Sequence, residues 1–302
     1  MIDYTTLRKY DTVFSRWWEF STINNIDPYA YNLAGILSLI KTIFDKDGSY
    51  STINIHRAAL SLFMIIPEED KNIFKKFYKG LYNLKPPMPK YKYTWDPAPV
   101  LDYLQTLFPL EGLSLEKLTY ELVMLVALTS AHRLQTLSLI KIENIKIGQN
   151  VIEVRIPDMI KTSKRNKEQP ILCFPFIRKK LELCVASVIC HYLEVTTTLR
   201  ELSEMRLFLT IKKPHKAAST QTLSRWLKNI LSLCKIDTKI FKGYSCRHAA
   251  TSAAARGGLN IGIIRETAGW TKNSEMFRRF YNRPLARDYT TFATSILAPS
   301  NS

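Results

Sequence analysis

Apolar residues return at helical spacing over residues 33–40 and again over 58–64, and the first eighty residues read as four or five helices. Natural breaks fall at Lys46-Asp47-Gly48 and at Pro67-Glu68-Glu69-Asp70. Residues 84–99 then hold five prolines in sixteen positions. Proline has no N–H and clashes with the preceding turn, so this stretch reads as an extended, stiff connector and as the domain boundary. The expected organisation is a helical domain over 1–83, a proline-rich linker over 84–99 and a second domain over 100–302.

Beyond the linker, helices are expected over 100–108 and 114–131, the latter with a capped start at Ser114-Leu115-Glu116-Lys117. Between residues 141 and 176 the period changes. Ile145-Lys146-Ile147, Val151-Ile152-Glu153-Val154-Arg155-Ile156 and Ile171-Leu172-Cys173-Phe174 predict three short antiparallel strands, with a basic loop over 161–167 between the second and third. Further helices are predicted over 178–194, 219–233, 245–256, 261–268, 274–281 and 286–296. The fold class is therefore mainly α with a small antiparallel sheet (α+β), without internal repeats.

Charge adds a partner to this picture. The chain of 302 residues carries a formal +17, and the charge is uneven: residues 1–90 have 12 Lys+Arg against 9 Asp+Glu, residues 91–302 have 31 against 17. The resulting net +14 on the second part suits a polyanion, with nucleic acid ahead of an anionic membrane surface. The longest apolar stretch, residues 118–131, contains Glu121 and is too short to cross a bilayer. The opening Met1-Ile2-Asp3-Tyr4 does not read as a signal peptide. Five cysteines without a C-x-x-C pair predict reduced, mostly buried thiols, and five scattered histidines offer no zinc pattern.

Candidate chemistry lies in the basic part. Arg133, a lysine-rich turn around Lys161, the string Gly243-Tyr244-Ser245-Cys246-Arg247-His248, then Gly269-Trp270 and Phe280-Tyr281-Asn282-Arg283-Pro284 form an ordered series. Two arginines brought together can clamp a phosphodiester by charge-assisted hydrogen bonds, and a buried tyrosine beside them can attack phosphorus. Such chemistry needs no metal or cofactor. Any one of these arginines read alone is a solvated side chain or a phosphate-backbone contact, and most of the 15 tyrosines are packing residues. Tyr281 is singled out by the preceding Gly-Trp and by Arg278, Arg279 and Arg283 around it; Tyr289 is the fallback nucleophile. No compact carboxylate cluster accompanies the basic residues, which argues against a metal-dependent nuclease.

In order and spacing the series resembles the signature of the tyrosine recombinases, the phage-integrase superfamily. Residues 10–64, with Trp17, Phe20 and Tyr50-Ser51-Thr52-Ile53-Asn54-Ile55-His56-Arg57-Ala58-Ala59-Leu60, look like the helical core-binding (SAM-like) DNA-binding domain of that superfamily. The wording of Ala268-Gly269-Trp270 and Phe280-Tyr281-Asn282-Arg283-Pro284 is most similar to recombinases of eukaryotic Crypton and DIRS/Ngaro mobile elements. The resemblance implies that Arg133 and Arg247 are the phosphate-binding arginines and that Tyr281 is the nucleophile. Lys161 would protonate the leaving 5′ oxygen, with Lys164 as competitor, or both would be parts of a basic loop touching backbone. Trp270, 23 residues after Arg247, would donate its indole N–H to the phosphate, unless it is a core tryptophan. The family box begins with histidine three residues before its arginine; here that residue is Tyr244, which is expected to position the phosphate through its phenol. The gap of 11 from Trp270 to Tyr281 is longer than the commonest one. His248 is expected to order its helix, and His132, Cys246 and His191 to be structural.

The implied function is site-specific DNA strand exchange through a 3′-phosphotyrosine, for integration or excision of a mobile element. Its partners would be double-stranded DNA, clamped between the two domains, and three further copies in a homotetramer on two duplexes, with no membrane. The location would be nuclear in a eukaryotic host and cytoplasmic otherwise. The alternative is a catalytically silent, host-adapted DNA-binding protein derived from such an element.

Overall fold

The computed structural model describes residues 4–163 and 168–285, and the chain divides into two compact units, Met1–Met88 and Pro89–Ser302. The first unit is four helices, α1 (Tyr4–Ile23), α2 (Leu33–Asp45), α3 (Tyr50–Leu60) and α4 (Glu68–Leu84). Asn32 Oδ1 accepts from the Gly35 N–H at 2.7 Å and Ser49 Oγ from the Thr52 N–H at 3.1 Å. Each cap satisfies an N–H that has no acceptor inside its helix. The break expected over residues 67–70 narrows to Pro67, because Glu68, Glu69 and Asp70 become the first turn of α4, where carboxylates face the positive end of the helix dipole. Trp17, Ile40, Ile53 and Tyr78 form the centre of the core, each side chain contributing about 1.5–3 kcal/mol by leaving water.

The second unit is mainly helical with one small sheet. α5 (Ala98–Gln105), α6 (Leu115–Ser130) and α7 (Leu134–Ser138) precede the antiparallel strands β1 (Ile145–Ile147), β2 (Val151–Arg155) and β3 (Ile171–Pro175). Sheet order is β1-β2-β3, with Ile152 opposite Phe174 and Val154 opposite Leu172. Those four side chains are buried while the alternate positions face outward, the period-two pattern that identified the strands. α8 (Val185–Thr197), α9 (Thr220–Leu233), α10 (Cys246–Arg256) and α11 (Ile261–Thr267) complete the α-helices among the described residues, with α6 packed against α8, α9 and α10.

Several expectations change. Residues 89–97 of the proline-rich stretch form a strap inside the second unit: Tyr91 and Trp95 are buried in its core, and the Trp95 indole N–H donates to Ser245 Oγ at 2.9 Å. The Thr94 N–H donates to the Pro284 carbonyl at 2.8 Å. Pro97 and Pro99 stand at the start of α5, where a helix's first N–H groups lack intrahelical acceptors and proline loses nothing. The helix expected over 178–194 begins only at Val185, because Cys184 is extended and its thiol accepts the Ile177 N–H at 3.2 Å, folding the segment back. The one expected over 274–281 shrinks to a single π turn, Phe277–Tyr281. The one expected over 286–296 lies outside the described residues. Of the cysteines, Cys184 and Cys246 are buried, Cys190 and Cys234 half-buried and Cys173 exposed.

Candidate active site

α6 ends at Ser130, and Ala131 turns the chain in the left-handed conformation at φ 49°, which costs an alanine about 1 kcal/mol. The chain then straightens, so that Arg133 becomes the extended residue before α7. Half-buried there, it lines a small cleft together with His132, Gly243, Tyr244 and Arg247.

The opposite wall comes from the turn leading into α10. At Gly243 a Cβ would stand 2.7 Å from the Ser224 carbonyl oxygen, so only glycine lets this turn press against the backbone of α9. Tyr244 follows, and Arg247 and His248 occupy the first turn of α10. Arg247 is 3% exposed. Its Nη2 donates to the Ala268 carbonyl at 2.9 Å, and its guanidinium carbon lies 4.4 Å from the Trp270 ring centre and 5.4 Å from that of Tyr281. Nε and Nη1 have no partner among the described residues. Burial, and then the charge of Arg133, push the Arg247 pKa down to about 10. The side chain is thus a cation at neutral pH with unmet donors and a second cation beside it, an arrangement that an anion relieves.

The tryptophan and tyrosine stand against Arg247. Gly269 has φ +68°, and a Cβ there would lie 2.9 Å from His132 Cε1, so glycine is required both by conformation and by space. Trp270 is buried, with its indole N–H unpartnered among the described residues. Tyr281, 5% exposed, closes the π turn, in which the Asn282 N–H reaches back to the Phe277 carbonyl at 2.8 Å. Ser252 of α10 fixes the main chain, donating to the Tyr281 carbonyl at 2.6 Å while accepting from the Arg283 N–H at 3.0 Å. The Tyr281 hydroxyl is hydrogen-bonded to that of Tyr244. Burial first, and then this bond, raise the Tyr244 phenol above its ordinary value. Burial and Arg247 hold His248 down at about 3, and burial pushes the Cys246 thiol up to about 12, which leaves it unreactive near neutrality.

Arg133, Tyr244, Arg247, Trp270 and Tyr281, drawn from segments spread over nearly 150 residues, therefore converge. Lys161 does not join them through any described contact. It lies exposed on the turn after β2, closed by the Ser163 N–H donating to the Ile160 carbonyl at 2.9 Å. Lys164 and Tyr289 lie outside the described residues. Sequence reasoning missed Ser252, whose spacing of four from His248 puts both on one face of α10, and Lys90, whose ammonium sits 5.6 Å over the Tyr244 ring.

Residues 103–287 match the family model described as Phage integrase family. The chain is similar in fold to the XerH site-specific recombinase bound to palindromic difH substrate in a post-cleavage complex (TM-score 0.62, 12% identity, 96% of this chain and 79% of that one). It is also similar to a lambda integrase dimer bound to a COC′ core site (0.58, 12%, 95% and 75%). A third likeness is to the Tn1549 transposon integrase, residues 82–397, with circular intermediate DNA (0.55, 12%, 88% and 85%). Among curated protein sequences none matches.

Proposed function

The chain belongs to the phage integrase family, and we propose that it is a site-specific DNA recombinase that cuts and rejoins duplex DNA through a 3′-phosphotyrosine. The observation that carries this reading is the set of unmet donors around one hydroxyl. Arg247 Nε and Nη1 and the Trp270 indole N–H are buried without partners among the described residues, beside Arg133 and around Tyr281. A phosphodiester gains negative charge on its non-bridging oxygens as it is attacked, and preorganised donors stabilise that charge without reorganising. Tyr281 Oη forms the bond to phosphorus, and its proton passes to the Tyr244 hydroxyl as that hydroxyl gives its own proton to solvent, Tyr244 being 38% exposed. The bond to the 5′ oxygen breaks, and Lys161, brought in from its turn, protonates that oxygen. Attack by a 5′ hydroxyl reverses the step and rejoins a strand without ATP.

Double-stranded DNA is the partner, and a homotetramer on two duplexes the working unit, by analogy with the lambda integrase tetramer bound to a Holliday junction. The Crypton-like wording around Trp270 and Tyr281 supports integration or excision of a mobile element, with a nuclear location in a eukaryotic host. No described helix is long and apolar enough to cross a membrane. One observation favours the silent, DNA-binding alternative: Tyr244 stands where the family box has histidine. Retention of Tyr281 with both arginines favours the enzyme.

Nicked duplexes cut from DNA flanking the gene provide the test. In excess EDTA the parent protein should become covalently attached to DNA, and Tyr281→Phe should bind the same duplexes without attaching. Attachment by Tyr281→Phe would remove the nucleophile assignment, and binding by the parent without attachment would establish the silent reading.

A further inference from the structure

One buried polar group beside the nucleophile has no part in the chemistry above. His248 is 3% exposed, and neither ring nitrogen has a partner of good geometry among the described residues. Its imidazole lies flat on the Tyr281 ring, 4.1 Å between centres and 15° between planes. Behind it stands Tyr91 of the strap, edge-on at 5.0 Å and 85°, itself packed on Phe241 at 5.6 Å. The Trp270 ring also meets Tyr281, at 4.8 Å and 61°. Phe241, Tyr91, His248, Tyr281 and Trp270 thus form a continuous, buried file of rings.

We infer that His248 is a positioning residue for Tyr281, a flat ring that fixes the plane of the phenol and is itself held in place by Tyr91 of the strap. The inference rests on the reading of Tyr281 as the nucleophile. Ser252 pins only the main chain of Tyr281, and the Tyr244 hydroxyl only the tip of its phenol; the plane of the ring is left to the rings packed on it. Stacking on His248 removes the freedom to turn over one face of the ring, and contacts with Trp270 and Arg247 restrict it further. A misplacement of about 1 Å at a reacting atom can cost about 100-fold in rate, so a wall that prevents it acts on the chemical step. Burial, and then Arg247, Arg283 and Lys90, oppose a charge on His248 and outweigh the Phe280 main chain, which favours it. The ring is therefore held neutral near neutral pH and adds no competing cation.

The strap joins this arrangement twice. Tyr91 supports His248, and three residues later the Thr94 N–H holds the Pro284 carbonyl, just beyond the nucleophile. Ring and following main chain of Tyr281 are thereby both referred to residues 91–94.

Two variants of similar bulk separate flatness from nitrogen chemistry. His248→Phe keeps a flat ring and should attach to nicked duplex within about threefold of the parent rate at every pH from 6 to 9. His248→Leu fills space without a flat face and should attach about 10- to 100-fold more slowly, with the dissociation constant for DNA within about threefold of the parent's. Equal rates for Leu and parent, or Phe as slow as Leu, would overturn the inference. Tyr91→Leu against Tyr91→Phe repeats the comparison from behind the imidazole, and decides the matter if His248→Leu does not fold. A fluorotyrosine placed at position 281 reads the ring without DNA or turnover. Its ¹⁹F line should be single and displaced in the parent and should broaden and move toward the free amino acid in His248→Leu. An unchanged line would end the inference whether or not the protein attaches to DNA, whereas a displaced line in a parent that never attaches would count against the nucleophile alone.

Discussion

Tyr244 stands where the family box has histidine, and its hydroxyl meets that of Tyr281. Raised above its ordinary value by burial and by that bond, the phenol stays protonated near neutrality and keeps an O–H to donate. Tyr244→Phe is expected to slow covalent attachment by about 10- to 1000-fold, the scale of one lost preorganised donor, while Tyr244→His keeps substantial activity. A parent-like rate in Tyr244→Phe, measured in single turnover, would make the residue packing alone. At this scale Arg133, Arg247, Trp270 and Tyr281 were legible as an ordered series. His248 and Ser252 were not, because their partners lie some thirty residues away along the chain and no local pattern marks the pairing. Lys161 was legible only through resemblance, and on an exposed turn no packing fixes where its ammonium points.

Among the elements, α6 is buried almost all round, and Glu121 lies in it with both carboxylate oxygens unpartnered among the described residues. Burial raises its pKa from 4.5 to about 8. Between those values the folded protein holds a proton that the unfolded chain releases, so this group's stability is full below about pH 4.5 and falls as pH rises toward 8. Glu121→Gln removes the charge and keeps the volume. Urea denaturation should show it more stable by about 2–3 kcal/mol at pH 7 and indistinguishable from the parent at pH 4; equal pH dependence in the two proteins would contradict the burial argument. The capped start of α6 and the three strands were readable because cap and period are local signals. The shortened α8 and the π turn under Tyr281 were not. The Cys184 thiol accepting the Ile177 N–H delays the start of the first, and the Asn282 N–H reaching to Phe277 forms the second.

For the whole molecule, charge is the property that reaches furthest. With net +14 on residues 91–302, DNA affinity should fall steeply with salt. Counterion release gives a log-log slope of about −0.9 per neutralised phosphate, so several contacts imply a slope of several units. A fluorescence titration between about 50 and 200 mM salt checks this, and a flat response would count against DNA as the principal partner.

Composition and periodicity, which need no distant neighbour, were enough to establish a helical first unit, a helical second unit with a three-stranded sheet, the basic field and the order of the arginines, tryptophan and tyrosine. Only the tertiary structure decided that residues 89–97 belong to the second unit as a strap, that Arg247 and Trp270 keep donors unmet beside Tyr281 among the described residues, and that an imidazole lies against the Tyr281 ring. Those features depend on which side chains burial brings together across long stretches of chain, and a buried donor's lack of a partner is defined only once every neighbour is in place.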